Sequence, residues 1–210
     1  MEKDNLACDI LKEIFNIGVG KAANMLSQML DKKILLDVPN IEIIEANKTE
    51  IDLIKYFNKD LKGTIMVSSI SFQEELNGEA NLIFPADKMR TIINLCIEED
   101  VRYDEEMGFT DIDFDVIKEI GNIILNSIIG EIANSLDKGL SYTLPNIMIF
   151  EMTDFESRIK SMEDMNSLLI SISFIIDQVE IEGAVIISFT ISSIKEIMIT
   201  LNRMEDNLYG

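Results

Sequence analysis

The chain has 210 residues, with 38 acidic and 18 basic side chains, a formal net charge of -20, no His and two Cys. A chain this negative repels phosphate backbones and anionic bilayers, which speaks against nucleic acid as a partner and against membrane insertion. Without His there is no triad base and no common zinc ligand, and Cys8 and Cys96 are too few for a thiolate cage or a disulfide framework.

In chain order, the first segment, Met1 to Ala7, carries acids and no apolar signal core, so the reading expects a cytoplasmic protein with reduced thiols. Apolar residues then recur at three- and four-residue spacing from about Asn5 to Leu30, which predicts a long helix. Pro39 precedes a short strand, Ile41 to Ile44, and Ile51 to Phe57 reads as a short extra helix. Strands follow at Gly63 to Ile70 and Glu79 to Phe84, then a helix over Pro85 to Ile97. The acidic, polar stretch Glu98 to Asp111 reads as a connection. A second long helix spans about Asp113 to Leu136, with Asp111, Asp113 and Asp115 at its front, where a helix end is positive. Pro145 precedes a strand at Ile147 to Phe150. Two more strands, Ser167 to Ile176 and Glu180 to Phe189, lead to a closing helix, Ile191 to Met204. The longest apolar stretch, Leu168 to Ile176, is interrupted by Ser171 and Ser173 and is too short to span a bilayer.

The two halves echo each other. Asp9, Glu13 and Asn16 are followed, after 22 residues, by Pro39; Asp115, Glu119 and Asn122 are followed, after 22 residues, by Pro145. The offset is 106 residues, and Gly78 to Phe84 aligns with Gly183 to Phe189 at an offset of 105. This predicts an α+β fold: one pseudo-twofold domain over residues 1–210, built from two α-β-β-β-α repeats at about 1–100 and 107–210. A helix, three strands and a helix cannot bury a two-sided sheet alone, so the strands are expected to pool into one sheet with the long helices packed on it.

On a helix, Asp9, Glu13 and Asn16 fall within about 60° of arc. Leu11, Ile14, Gly18, Ala22, Met25 and Met29 cluster opposite, as the buried face. Gly20 lies on the exposed face one turn beyond Asn16, where a missing side chain lets another surface approach. Asp115, Glu119 and Asn122 repeat the stripe, with Asn126 in the position of Gly20 and Ile117, Ile120 and Ile124 inward. Asn is a mediocre helix former, so keeping it on two solvated faces needs a reason. A carboxamide can hold a water by donating and accepting at once. Set in line with a phosphoryl group, that water is placed for attack, and a neighbouring carboxylate can anchor a partner's cation. The implied chemistry is hydrolysis of a phosphorylated protein, with Mg²⁺ supplied by that protein.

The pattern Asp/Ser, three residues, Glu, two residues, Asn, 22 residues, Pro resembles the signature of the CheC/CheX/FliY family of phosphatases, which act on the phosphorylated chemotaxis response regulator CheY. It occurs twice, complete, and Asn16-Ile-Gly-Val-Gly-Lys-Ala-Ala and Glu119-Ile-Gly-Asn-Ile also look like the family. Two motifs in a chain of this length resemble the CheC branch; CheX-like chains usually carry one, and FliY adds a flagellar-switch domain. The resemblance implies that Asn16 and Asn122 orient the attacking water and that Glu13 and Glu119 contact a Lys of the response regulator. It implies supporting contacts from Asp9 and Asp115, and structural roles for Pro39 and Pro145 in turning into a strand. It also implies a second partner, the receptor deamidase CheD, and no cofactor of the protein's own.

The two sites are expected to be unequal. Gly18, Gly20, Ala22 and Ala23 surround the first, whereas Ile123, Ile124, Leu125 and Asn126 surround the second. The methionines (Met25, Met29, Met162, Met165, Met198, Met204) read as core filling, and Lys21 as a solvated helix flank. Gly18-Val-Gly20-Lys21 lacks Walker spacing and sits in a helical pattern, so it is not a phosphate loop. Glu99, Asp100, Asp104, Glu105 and Glu106 read as linker rather than a cation site. The competing function is a non-catalytic scaffold for the response regulator, CheD or the flagellar switch. A self-sufficient metal-dependent hydrolase is disfavoured by the lack of His.

Overall fold

The computed structural model describes residues 2–44, 63–96, 108–161, 165–176 and 179–209. They form five helices and seven strands, in the order α1 (Glu2–Leu30), β1 (Ile34–Ile44), β2 (Thr64–Glu74), β3 (Gly78–Pro85), α2 (Ala86–Cys96), α3 (Asp111–Ser135), β4 (Leu140–Tyr142), β5 (Asn146–Glu151), α4 (Met152–Lys160), β6 (Met165–Ile176), β7 (Val179–Thr190) and α5 (Ile191–Tyr209). The expected α+β fold stands. The helix read at 51–57 and most of the acidic connection lie outside the described residues.

All seven strands join one antiparallel sheet, ordered β1-β6-β7-β3-β2, with β4 and β5 end to end on the outer edge of β2. The order is palindromic with respect to the two halves. β1 pairs with β6, β5 pairs with β2, and β3 meets β7 at the centre, so each half lends a strand to the other's hairpin. Because side chains alternate across a strand, both faces must be covered. Met66, Ile70, Leu82, Phe84, Ile170 and Val185 face the layer of α1, α2, α3 and α5. Ile65, Val67, Ile83, Leu169, Ala184 and Ile186 face the other way, under Met152, Phe155 and Ile159 of α4. Burial on both sides explains why β6 reads as an almost unbroken apolar run.

Two elements depart from the sequence reading by being additions: the three-residue strand β4 and the nine-residue helix α4. β1 begins at Ile34, five residues ahead of Pro39, so Pro39 does not shape a turn into the strand. It sits inside β1, where the register with β6 shifts between Asp37 and Asn40. β1 is an edge strand, and an irregularity on an edge is where a residue lacking N–H is tolerated. Pro145 does stand directly before β5, as expected.

The long helices α1 and α3 lie on the sheet side by side. Their backbones approach closely at Gly18, where an added Cβ would meet Ile128 Cα and the Ser127 carbonyl oxygen, each at 3.0 Å. The α3 start is fixed by Thr110, whose hydroxyl accepts from the Asp113 amide while the Asp113 carboxylate accepts from the Thr110 amide at 2.7 Å. Arg90 of α2 donates to the same carboxylate at 2.8 Å and lies over the Phe109 ring. Burial raises the Asp113 carboxyl, but the Thr110 hydrogen bonds and the Arg90 charge outweigh it and hold the pKa below its usual value. No helix among the described residues is long and apolar enough to cross a membrane.

Candidate functional site

The buried line of α1 runs through Leu11, Phe15, Val19, Ala22 and Leu26, which turns Asp9, Glu13, Asn16 and Gly20 to solvent as a continuous stripe. Leu11, Ile14, Gly18 and Ala22 are buried as read in sequence, and the buried face also takes in Phe15, Val19, Ala23 and Leu26. Met25 and Met29 are 50% and 45% exposed rather than core filling, with the Met25 sulfur 3.9 Å from the Ser127 hydroxyl on α3. Met198 and Met204 do pack on the core; Met162 and the Met165 side chain lie outside the description.

On α3 the buried residues are Ile117, Ile120, Gly121, Ile123, Ile124, Leu125 and Ile128. Asp115 and Glu119 are exposed, and Asn122 and Asn126 are half-buried. Ile123, Ile124 and Leu125 point into the core, so they do not crowd the second site as the sequence reading had it. The difference comes from Asn126. Its amide Nδ2 donates to Asn122 Oδ1 at 2.7 Å, and its own Oδ1 is buried without a partner. In α1 the matching residue is Gly20, whose Cβ position has nothing within 4 Å.

The structure thus gives each stripe its carboxylate and amide from one face of one helix. Pro39 and Pro145 belong to the strand layer and not to either stripe. Lys118 approaches Asp115 at 3.5 Å across an exposed turn, a contact of little energetic weight. Lys21 is not simply solvated: its ammonium pairs with Glu131, tying α1 to α3 just beyond the Gly18 crossing. Sequence spacing could not pair Lys21 with Glu131, because the two residues lie on different helices. Gly18, Gly20 and Lys21 fall inside α1, so no phosphate loop exists there.

The remaining chemistry is limited. Burial pushes the Cys96 thiol up to about 11, with Lys32 opposing only weakly, so it stays protonated and is a poor nucleophile. Among the described residues, no cluster of three or more His, Cys, Asp or Glu is arranged to hold a metal ion. What the stripes can do is present an anionic acceptor and a two-way hydrogen-bonding amide to a docked surface.

The arrangement of sheet and paired helices has counterparts among solved structures. Its structure is similar to that of Thermotoga maritima FliY, with a TM-score of 0.69 at 18% identity over 93% of this chain and 95% of that one. It is also similar to FliM from a FliM–SpeE complex of H. pylori, with a TM-score of 0.64 at 11% identity, covering 94% and 95%. At these identities the likeness is one of fold. Residues 6–43, which include Asp9, Glu13, Asn16 and Pro39, match the CheC-like family. The chain is 26% identical over 143 residues to the CheY-P phosphatase CheC of Bacillus subtilis, covering 67% of this chain and 65% of the relative's length. The resemblance read from the motifs is the one these comparisons return.

Proposed function

We propose that this chain is a CheC-like protein phosphatase that accelerates hydrolysis of the aspartyl phosphate on a CheY-type response regulator. Asn16 and Asn122 orient the attacking water. Glu13 and Glu119 anchor a cationic side chain of the docked regulator, and Asp9 and Asp115 support that contact from one turn away. The Mg²⁺ belongs to the regulator, and the phosphatase brings no cofactor. CheD is a second proposed partner, and the setting is the cytoplasm. The observation that carries the reading is the Glu-x-x-Asn pair on one helix face, with an exposed Glu and an exposed or half-buried Asn, present on both long helices of a chain whose relative is named a CheY-P phosphatase.

The test is phosphate release from a Mg²⁺-loaded, phosphorylated CheY-type receiver. Wild type is compared with Asn16→Ala/Asn122→Ala, and circular dichroism establishes that the double variant is folded. The expected outcome is acceleration by wild type and a loss on the order of 100-fold in the variant, the scale seen when a transition-state hydrogen bond is removed. Binding should survive, because the carboxylates remain. Equal rates for the two proteins would favour the second reading, a scaffold; the FliM likeness keeps that reading in play, since FliM is found in a complex with SpeE on the same fold.

A further inference from the structure

Asn126 is a polar residue in mid-helix, where Asn is intrinsically unfavourable. It follows Asn122 by one turn, the spacing at which side chains on a helix meet. Its Nδ2 donates to Asn122 Oδ1 at 2.7 Å, and both residues are half-buried, which protects the bond from competing water. The arrangement leaves Asn126 Oδ1 buried and unpartnered. A buried polar atom without a protein partner calls for an explanation.

We propose that Asn126 is a positioning residue of the second site. By donating to the Asn122 oxygen, it turns that oxygen along the helix and presents the Asn122 NH₂ outward, toward the water to be oriented. The first site has no such device, because Gly20 carries no side chain and the space above it is open. Asn16 must therefore be oriented by the docked partner, whereas Asn122 is oriented beforehand. The two sites use the same pair of side chains in different states of readiness. This inference rests on the phosphatase reading above.

The test isolates the second site in an Asn16→Ala background and adds Asn126→Leu or Asn126→Asp. Leu keeps the branched shape and removes the donor. Asp can only accept, so it obliges Asn122 to turn its NH₂ inward. The readout is steady-state dephosphorylation of the phosphorylated, Mg²⁺-loaded receiver. With Leu, kcat is expected to fall about tenfold at a KM within about twofold of the parent, the effect of losing one oriented hydrogen bond in the transition state. With Asp the fall in kcat should be larger. A merely structural Asn126 would lower the melting temperature without this split. Unchanged kcat in both variants overturns the positioning role while leaving the phosphatase reading intact. An active wild type with an inactive Asn16→Ala parent also overturns it, because the second site would then not turn over. An inactive wild type removes both.

Discussion

The two long helices carry one motif in two different settings. On α1, Phe15 fills the space beneath the stripe and Gly20 leaves the surface beyond Asn16 open. On α3 the residues are exchanged in kind: Gly121 replaces the buried aromatic ring and Asn126 stands where the glycine was. An added Cβ on Gly121 would lie 2.2 Å from Ser68 Oγ and 2.7 Å from Ser68 Cβ, so α3 rides directly on β2. Beside that contact is a cavity of about 10 Å³ lined by Met66, Ser68, Leu82, Ile117 and Ile120. The comparison teaches that a motif is conveyed by its outward face, while its support from below is free to differ. One helix carries a buried ring beneath its stripe, and the other is pressed onto β2 at a glycine.

The comparison can be broken most forcefully at the α3 start. Asp113→Ala removes the cap acceptor and the carboxylate partner of Arg90, so a loss of about 3 kcal/mol is expected in urea unfolding. The same group sets an acid limit. Its folded pKa lies below the ordinary 3.8, so its contribution is present above that pH and is lost as pH falls through the lower folded value. Unfolding midpoints taken downward from pH 5 should show this dependence in wild type and not in Asp113→Asn. Next in size is Gly121→Ala, expected to lose about 1–3 kcal/mol by overpacking against Ser68. Gly20→Ala, facing open space on α1, should be neutral or slightly stabilising. If both substitutions are neutral by thermal melting, the asymmetry in helix seating is refuted. The subtlest contrast is kinetic. Asn16→Ala and Asn122→Ala, assayed separately for phosphate release, should retain unequal rates differing by about threefold or more, in keeping with one free and one bonded amide. Equal retained rates would mean that the Asn126 bond has no consequence for turnover.

Much of this architecture was legible beforehand, and the misses have physical causes. The long helices and the apolar strands announce themselves by period, because burial of a whole face repeats over many residues. Helix α4 carried a signal, Met152, Phe155 and Ile159 on one face, but over nine residues it competes poorly with strand and loop readings. β4 is three residues long and has no period to read. Pro39 reads as a turn into the strand because an apolar run follows it, yet an edge strand with a register shift accommodates it. That Glu13 with Asn16, and Glu119 with Asn122, share one helix face was visible from spacing alone. The Asn126 bond was not, since its meaning lies in a side-chain orientation and in the burial of its second polar atom. The Met25 and Met29 error has a similar source: apolar type fixes neither the centre of a buried face nor its width.

The lending of strands between halves also has a consequence in time. β1 is made early, but Ile34 pairs with Ile176, near the far end of the chain. At ribosomal rates of about 5–20 residues per second, β1 waits on the order of ten seconds for its partner to be synthesised. During that interval an apolar strand has left the ribosome with nothing to pair with. β1 therefore joins the sheet only once β6 has been made, and the nascent chain, more than the finished protein, is the form that needs protection from aggregation.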